Sequence, residues 1–378
     1  MSKSNTVYQE LVRRINNGRY RPGEKLPGEV MLAQELGVSR VTLRSALKQL
    51  VNEEIIETFG RSGNYVSMNR PGKRFLLLIG GSTEQLGIVQ QYISSLLRQN
   101  LANAGHQLEL LTVSQLAGLA ADEWNNMLKE SGVAGVFLGA GYTEADTEMV
   151  ELFNATSIPI IKVLDYRPGL YRFPVVSSGG GRCFMDGVRY LASLGHKRIC
   201  TVFSECSSRG INEEHYREFL KCNGVDGDED LILHVTCDET PAAARRLLLG
   251  PKPPTAFMCF CDARALRVYA AVQELDMRIP AQVSVMGMSG YSERLFAIPK
   301  LSMANFRYDL ICAEAVKLML RAEEWFGPGM ENIYLEVPHT LEIHGSCAPP
   351  PEKFSADSAL LRMPVRIFPA NCGESGED

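Results

Sequence analysis

Arg40, Arg44 and Lys48 recur every four residues in the segment SRVTLRSALKQLVN. Four residues is close to one helical turn, so on a helix the three cations project from one face. Two planar guanidinium forks and an ammonium along one stripe suit phosphate oxygens and the acceptor edges of bases. Ser39 precedes them, where its hydroxyl can accept a bond from an unpaired amide of the first turn, and Leu43, Ala46, Leu47 and Leu50 form a separate apolar stripe. A further cation, Arg61, falls in the Gly60 to Gly63 turn of IIETFGRSGNYVS, a predicted hairpin whose tip could reach a minor groove or a flanking phosphate. Charge is divided in the same sense. Residues 1–74 hold thirteen Lys or Arg against seven Glu and no Asp, although the whole chain carries a net charge of −5. A basic end on an acidic body confines phosphate contact to that end and orients the approach.

Other chemistries lack their residues. The ten cysteines show no CxxC spacing, and the closest pair, Cys259 and Cys261, lies in the apolar run AFMCFC, so reduced thiols acting as small buried hydrophobes are expected. The six histidines form no metal-spaced pair, and neither a metal nor a cofactor is expected. No nucleophile elbow, Walker loop or Ser-His-Asp set occurs, which argues against an enzyme. The segment GAGYTE at 139–144 brushes against a dinucleotide fingerprint but lacks its third glycine, and reads as a strand-to-helix turn.

The elements that must position these groups follow from periodicity. A length of 378 residues implies at least two domains. Helices are predicted over 6–16, 29–36 and 40–52, the second stopped by Gly37, giving a helix-turn-helix followed by a small wing. NRPGKR at 69–74 reads as a linker. Beyond it, short apolar runs (FLLLIGG, QLELLTV, GVFLGA, IPIIKVL, RICTVFS, LILHVT, TAFMCF, VSVMGM) alternate with helical stretches over 88–104, 144–153, 182–194 and 263–274. That alternation predicts an α/β fold of two doubly wound parallel-sheet subdomains, with ligands at the carboxyl ends of the strands. No run approaches the roughly 20 apolar residues of a membrane span and the N-terminus has no signal-peptide core, so a cytoplasmic protein is expected.

The stretch LPGEVMLAQELGVSRVTLRSALKQLVNEEIIETFGRSGNYV resembles the winged-helix DNA-binding domain of the GntR family over residues 6–67. The resemblance implies that Ser39, Arg40, Thr42 and Arg44 contact operator DNA, with Lys48 on the same stripe and the wing around Arg61 and Gly63 adding a second contact. Gly28 and Val30 replace the family's usual Ser and Arg beside Glu29, and the wing is longer than its usual Gly-x-Gly turn.

Residues 75–347 resemble the effector domain of the LacI/GalR family, which shares the type I periplasmic-binding-protein fold. YLASLGHKRICTV, FMCFCDARALRVYAAVQELDMRIPAQVSVMGMSG, PKLSMANFRYDLICAEAVKLML and VPHTLEIHGS carry it. A winged helix at 1–68, a linker at 69–74, an effector and dimerisation domain at 75–347 and an extension at 348–378 are therefore expected. The resemblance implies a homodimeric regulator, a repressor, with double-stranded operator DNA as partner and a small effector, a sugar or its derivative, in the body's cleft. Sugar-responding members converge several polar side chains there, since a buried hydroxyl without partners is costly. Here the family's first Asp falls at Gly179, its Arg near Asn212 with Arg209 one turn away, its Asn-Asp pair at Cys261 and Asp262, and its last Asp at Ser289. Asp262, Arg209 and Ser289 are the candidate ligand contacts. Asp262 has a structural rival as the cap of a helix starting at Ala263, and Arg209 as a solvated loop residue. A body that has lost its effector, and less favourably a solute-binding protein, are the alternatives.

Overall fold

In the computed structural model the described residues are 3–16, 18–68, 72–80, 87–116, 118–139, 147–164, 170–204, 211–290, 297–327 and 333–351. The head contains α1 (Lys3–Asn16), α2 (Glu29–Glu35) and α3 (Arg40–Asn52), then β1 (Ile56–Thr58) and β2 (Asn64–Val66). Its core forms because the three helices and the wing turn their apolar stripes inward: Val7, Leu11 and Ile15 of α1 meet Leu32 and Ala33 of α2, Leu43, Ala46, Leu47 and Leu50 of α3, and Ile56 and Val66. The wing is antiparallel, with Ile56 opposite Val66 and Thr58 opposite Asn64. One turn of 3-10 helix over Gly60–Ser62 joins its strands, and Gly63 closes it at φ +100, a conformation only glycine adopts freely.

The body opens with β3 (Arg74–Ile79), so the strand begins at the last residue assigned to the linker. Then come α4 (Ile88–Asn103), β4 (Gln107–Thr112), α5 (Ala121–Glu130), β5 (Val133–Leu138), α6 (Thr147–Asn154), β6 (Ile160–Val163) and β7 (Val175–Ser177). The chain continues through α7 (Gly180–Ser193), β8 (Ile199–Phe203), α8 (Glu213–Cys222), β9 (Ile232–His234), α9 (Thr240–Leu248), β10 (Ala256–Cys259), α10 (Asp262–Glu274), β11 (Ser284–Ser289) and β12 (Ser302–Asn305). It ends with α11 (Tyr308–Leu320), α12 (Ala322–Trp325), β13 (Tyr334–Glu336) and β14 (Thr340–Glu342).

Two six-stranded sheets result, ordered β13-β7-β6-β5-β3-β4 and β14-β12-β11-β10-β8-β9. Each is doubly wound, with its order reversing beside its first strand, β3 or β8. The first sheet is wholly parallel, whereas β14 runs antiparallel to β12, a departure from the all-parallel expectation. The chain passes between the two units three times, from β7 into α7, from β12 into α11 and from β13 into β14. Helix α7 packs on the second sheet and α11 returns to pack on β6, β7 and α4. Among the described residues no helix is long and apolar enough to cross a membrane.

The Gly195-His196 motif closes the second unit. His196 is buried, with Nδ1 2.8 Å from the Thr255 hydroxyl and Nε2 2.8 Å from the Ala348 carbonyl, which requires Nε2 to donate to Ala348. Burial disfavours the imidazolium and holds this histidine below its ordinary 6.5, against an opposing pull from the Ala348 carbonyl. An unfolded chain therefore takes up a proton that the folded one refuses. The stabilisation is complete above pH 6.5 and is lost as pH falls through the depressed folded value. Urea midpoints measured at pH 7.5 and 5.5 are expected to differ less in His196→Gln than in the parent; equal slopes in both would assign the acid sensitivity elsewhere.

Candidate functional site

The exposed surface of the head gathers on α3. Ser39 caps the helix by accepting from the Thr42 amide at 3.1 Å, and its hydroxyl also meets the Thr42 hydroxyl at 2.8 Å. These contacts fix the first turn without help from solvent. The buried stripe of Leu43, Ala46, Leu47 and Leu50 then sets the rotation of the helix, leaving Arg40, Val41, Arg44, Ser45 and Lys48 exposed. Arg44 Nε donates to Glu29 Oε2 at 2.8 Å and Arg40 lies 3.8 Å from the same oxygen, so one carboxylate of α2 orients both guanidinium groups. The pairs are solvent-facing and worth at most about 1 kcal/mol, so a phosphate can displace Glu29 readily. Gly63 lies in the wing; the Arg61 side chain is outside the described residues.

The ligand crevice expected at the carboxyl ends of the strands falls, in the second sheet, beside the ends of β10, β11 and β12. Asp262, the first residue of α10, is wholly buried and its Oδ2 accepts from the Gly290 amide at 3.4 Å. Ser289, at the end of β11 with φ +130, is also buried and its hydroxyl lies 2.6 Å from that of Tyr308. Asn305 Oδ1 accepts from the Arg307 amide at 2.8 Å, while its Nδ2 donates to Glu342. Phe184, Phe203, Phe260 and Tyr216 form an aromatic cluster, with Phe203 and Phe260 centred 5.8 Å apart. Arg182 of α7 donates to Glu336 of β13 at 2.8 Å, a bond between elements of the two units. Among the described residues no group of three or more His, Cys, Asp or Glu side chains is placed to hold a metal ion.

Residues 3–66 match the gntR family of bacterial regulatory proteins, and residues 188–341 match the periplasmic binding protein-like domain. The chain is a hybrid transcription regulator, GntR-type in its head and LacI-type in its body. The arabinose metabolism transcriptional repressor of Geobacillus stearothermophilus is 24% identical over 349 residues, covering 84% of this chain and 90% of its own. The head alone is 44% identical over 68 residues to the mannosyl-D-glycerate transport/metabolism system repressor MngR of Escherichia coli, which is 17% of this chain and 28% of that one. In fold, the chain is similar to the transcriptional regulator CelR–cellobiose complex, with a TM-score of 0.59 at 19% identity, covering 85% of this chain and all of that one. A LacI-family regulatory protein from Chloroflexus aggregans gives 0.58 at 19% identity, over 72% and 98%. These relatives are regulators, in keeping with the lack of a catalytic constellation in the sequence.

The regulator brings Arg40, Arg44 and Lys48 to one face of α3, bonds Ser39 to Thr42 at the start of that helix, and sets Asp262 beside Gly290, next to Ser289; Arg209 lies outside the described residues. The structural alternative for Asp262, as cap of a helix starting at Ala263, is corrected: the helix starts at Asp262 and its N-cap is Cys261. Sequence reasoning missed Val41, which is 80% exposed on the recognition helix, and its signal was available as an apolar residue off the buried stripe. It also missed Tyr308, whose partner is fixed only when β11 and β12 lie side by side.

Gly179, standing where the family's first Asp is expected, caps α7 in a left-handed conformation at φ +62. A Cβ there would lie 3.0 Å from Glu336 Oε1, so a carboxylate from β13 already stands beside the position. Gly179→Asp is expected to destabilise the regulator by about 1–2 kcal/mol, from left-handed strain and from two adjacent carboxylates. The check is a thermal midpoint at pH 7, and an unchanged midpoint would show that the site accommodates the acid.

Proposed function

We propose that the regulator is a homodimeric repressor whose two winged helices read the half-sites of a pseudo-palindromic operator and release it when a small carbohydrate-class ligand occupies the body's crevice. The observation that carries the DNA-binding half is the recognition-helix face: Arg40, Arg44 and Lys48 for phosphates and guanine edges, Thr42 and Ser45 for further polar contacts, and Val41 for a thymine methyl. Arg61 and Gly63 of the wing add a contact outside the major groove. Two-fold symmetry of the protein requires two-fold symmetry of the site. For the ligand half, the support is the pair of doubly wound units joined by three crossings, with Asp262 and Ser289 side by side at the strand ends of the second; Arg209 is the third polar contact in this reading. The names of the relatives, which mention arabinose, mannosyl-D-glycerate and cellobiose, favour a carbohydrate. Regulation then requires the ligand to bind one cleft geometry better than the other.

A second reading, a regulator that binds operator without an effector, is favoured by one observation: Ser289, Asn305 and Asp262 already have partners within the protein. Selection of bound sequences from a random DNA pool, with and without sugars and sugar phosphates, separates the readings. An enriched palindrome lost with one compound supports the first. A palindrome indifferent to every compound, with no ligand-induced rise in melting temperature, supports the second, and no enrichment would remove sequence-specific binding altogether.

A further inference from the structure

The sequence pairs Cys261 with Cys259, but the fold gives it a different neighbour. Cys259 is wholly buried in β10, as are Cys183, Cys200 and Cys312 in their own elements, where burial pushes the Cys200, Cys259 and Cys312 thiols up and leaves them inert. Cys261 lies one step beyond β10 as N-cap of the thirteen-residue helix α10, and is only partly buried. Cys237, also partly buried, stands in the turn between β9 and α9, which Arg264 and Arg267 tie to the start of α10, and its thiol lies close enough to that of Cys261 for each to shift the other's titration.

The cationic side chain that meets this pair is also fixed by both loops. Arg264, in the first turn of α10, donates to Cys261 Sγ at 3.5 Å and to the Val235 carbonyl, two residues before Cys237, at 3.0 Å. Arg267 lies one turn further along, paired with Asp238 at 3.3 Å. We propose that Cys237 and Cys261 form a reactive dithiol on the rim of the crevice, which a hydroperoxide oxidises to an intramolecular disulfide.

Cys261 is the attacking sulfur. The neighbouring Cys237 thiol, joined by the Arg264 amide and guanidinium, holds the Cys261 thiol below the ordinary range, and the same pairing pushes Cys237 up. The Cys261 thiolate attacks one peroxide oxygen and the O–O bond breaks, leaving a sulfenic acid on Cys261 and a hydroxide that takes up the proton the thiol had released. The Cys237 sulfur then attacks the sulfenic sulfur. The S–S bond forms, the S–O bond breaks, and the hydroxyl leaves as water with the Cys237 proton. Two thiols and one hydroperoxide thus give one disulfide and, for hydrogen peroxide, two waters. The product ties the β9–α9 turn to the start of α10, so oxidation would stiffen one wall of the crevice.

The test treats the full-length protein with hydrogen peroxide, quenches with an alkylating reagent and maps thiols by peptide mass spectrometry, with the exposed Cys222 as internal reference. Cys261 is expected to lose its free thiol at least about tenfold faster than Cys222. A cross-linked peptide joining Cys237 to Cys261, lighter by two hydrogens and restored by a dithiol reductant, should accumulate. Cys237→Ser should instead trap Cys261 as a sulfenic acid, and Cys261→Ser should leave Cys237 as slow as Cys222. Loss of Cys261 no faster than Cys222, or a cross-link from Cys261 to any other cysteine, would overturn the proposal.

Discussion

Leu43→Ala is expected to abolish operator binding by unfolding the head while the body stays intact. Leu43 is wholly buried in the first turn of α3, in the core that also holds side chains of α1, α2 and the wing. Removing a buried leucine's outer carbons costs about 2–5 kcal/mol, from lost transfer energy and the cavity left behind. A domain of the head's size holds only about 3–10 kcal/mol in total, so the loss takes most of its margin. Calorimetry of the full-length protein should show a low transition moved down by at least about 10 °C and an upper transition unmoved. A single transition that shifts as a whole would mean that head and body unfold as one unit.

Arg44→Ala separates contact from stability. Its side chain is 62% exposed and its partner is Glu29, also on the surface, so the melting temperature should stay within about 1 °C. Operator affinity should fall by about 5- to 150-fold, the range for losing a guanidinium that grips a guanine edge, and discrimination at one base pair should relax. Loss of a phosphate contact would look different: affinity would fall evenly across sequences, and the slope of log affinity against log salt would shrink by about 0.9. Unchanged affinity together with an unchanged slope would strike Arg44 from the interface. The two variants bracket the recognition helix, one acting through its hidden face and the other through its open one.

The head was legible because local signals there agree with one another. Ser39 is a strong cap, Gly37 a clear stop, and the stripe from Leu43 to Leu50 has a single periodicity, so α2 and α3 could be read to within a residue. In the body the long apolar strands were equally plain. Strands β7, β12 and β13 were not, being three or four residues long, and SMAN in β12 carries no alternation that separates strand from loop. The crevice was less legible still, because its chemistry arises from side chains that meet across strands. Gly179 could be recognised as a departure, but not its left-handed backbone or the Glu336 carboxylate that a distant strand sets beside it. Nor could spacing alone reveal that Cys261 faces Cys237, since that depends on β8 lying between β9 and β10.

The place of β13 also dictates an order of assembly. The head has all its strands and helices once Ser67 has been made, and its core draws on no later residue. The first sheet of the body, begun at Arg74, lacks its edge strand until Glu336 is made, and the second waits for Glu342. Pairings so far apart in sequence form slowly. On the ribosome a finished DNA-binding head therefore trails a body with two unclosed sheets, and any chain cut short before residue 334 is released with both sheet edges bare and open to aggregation.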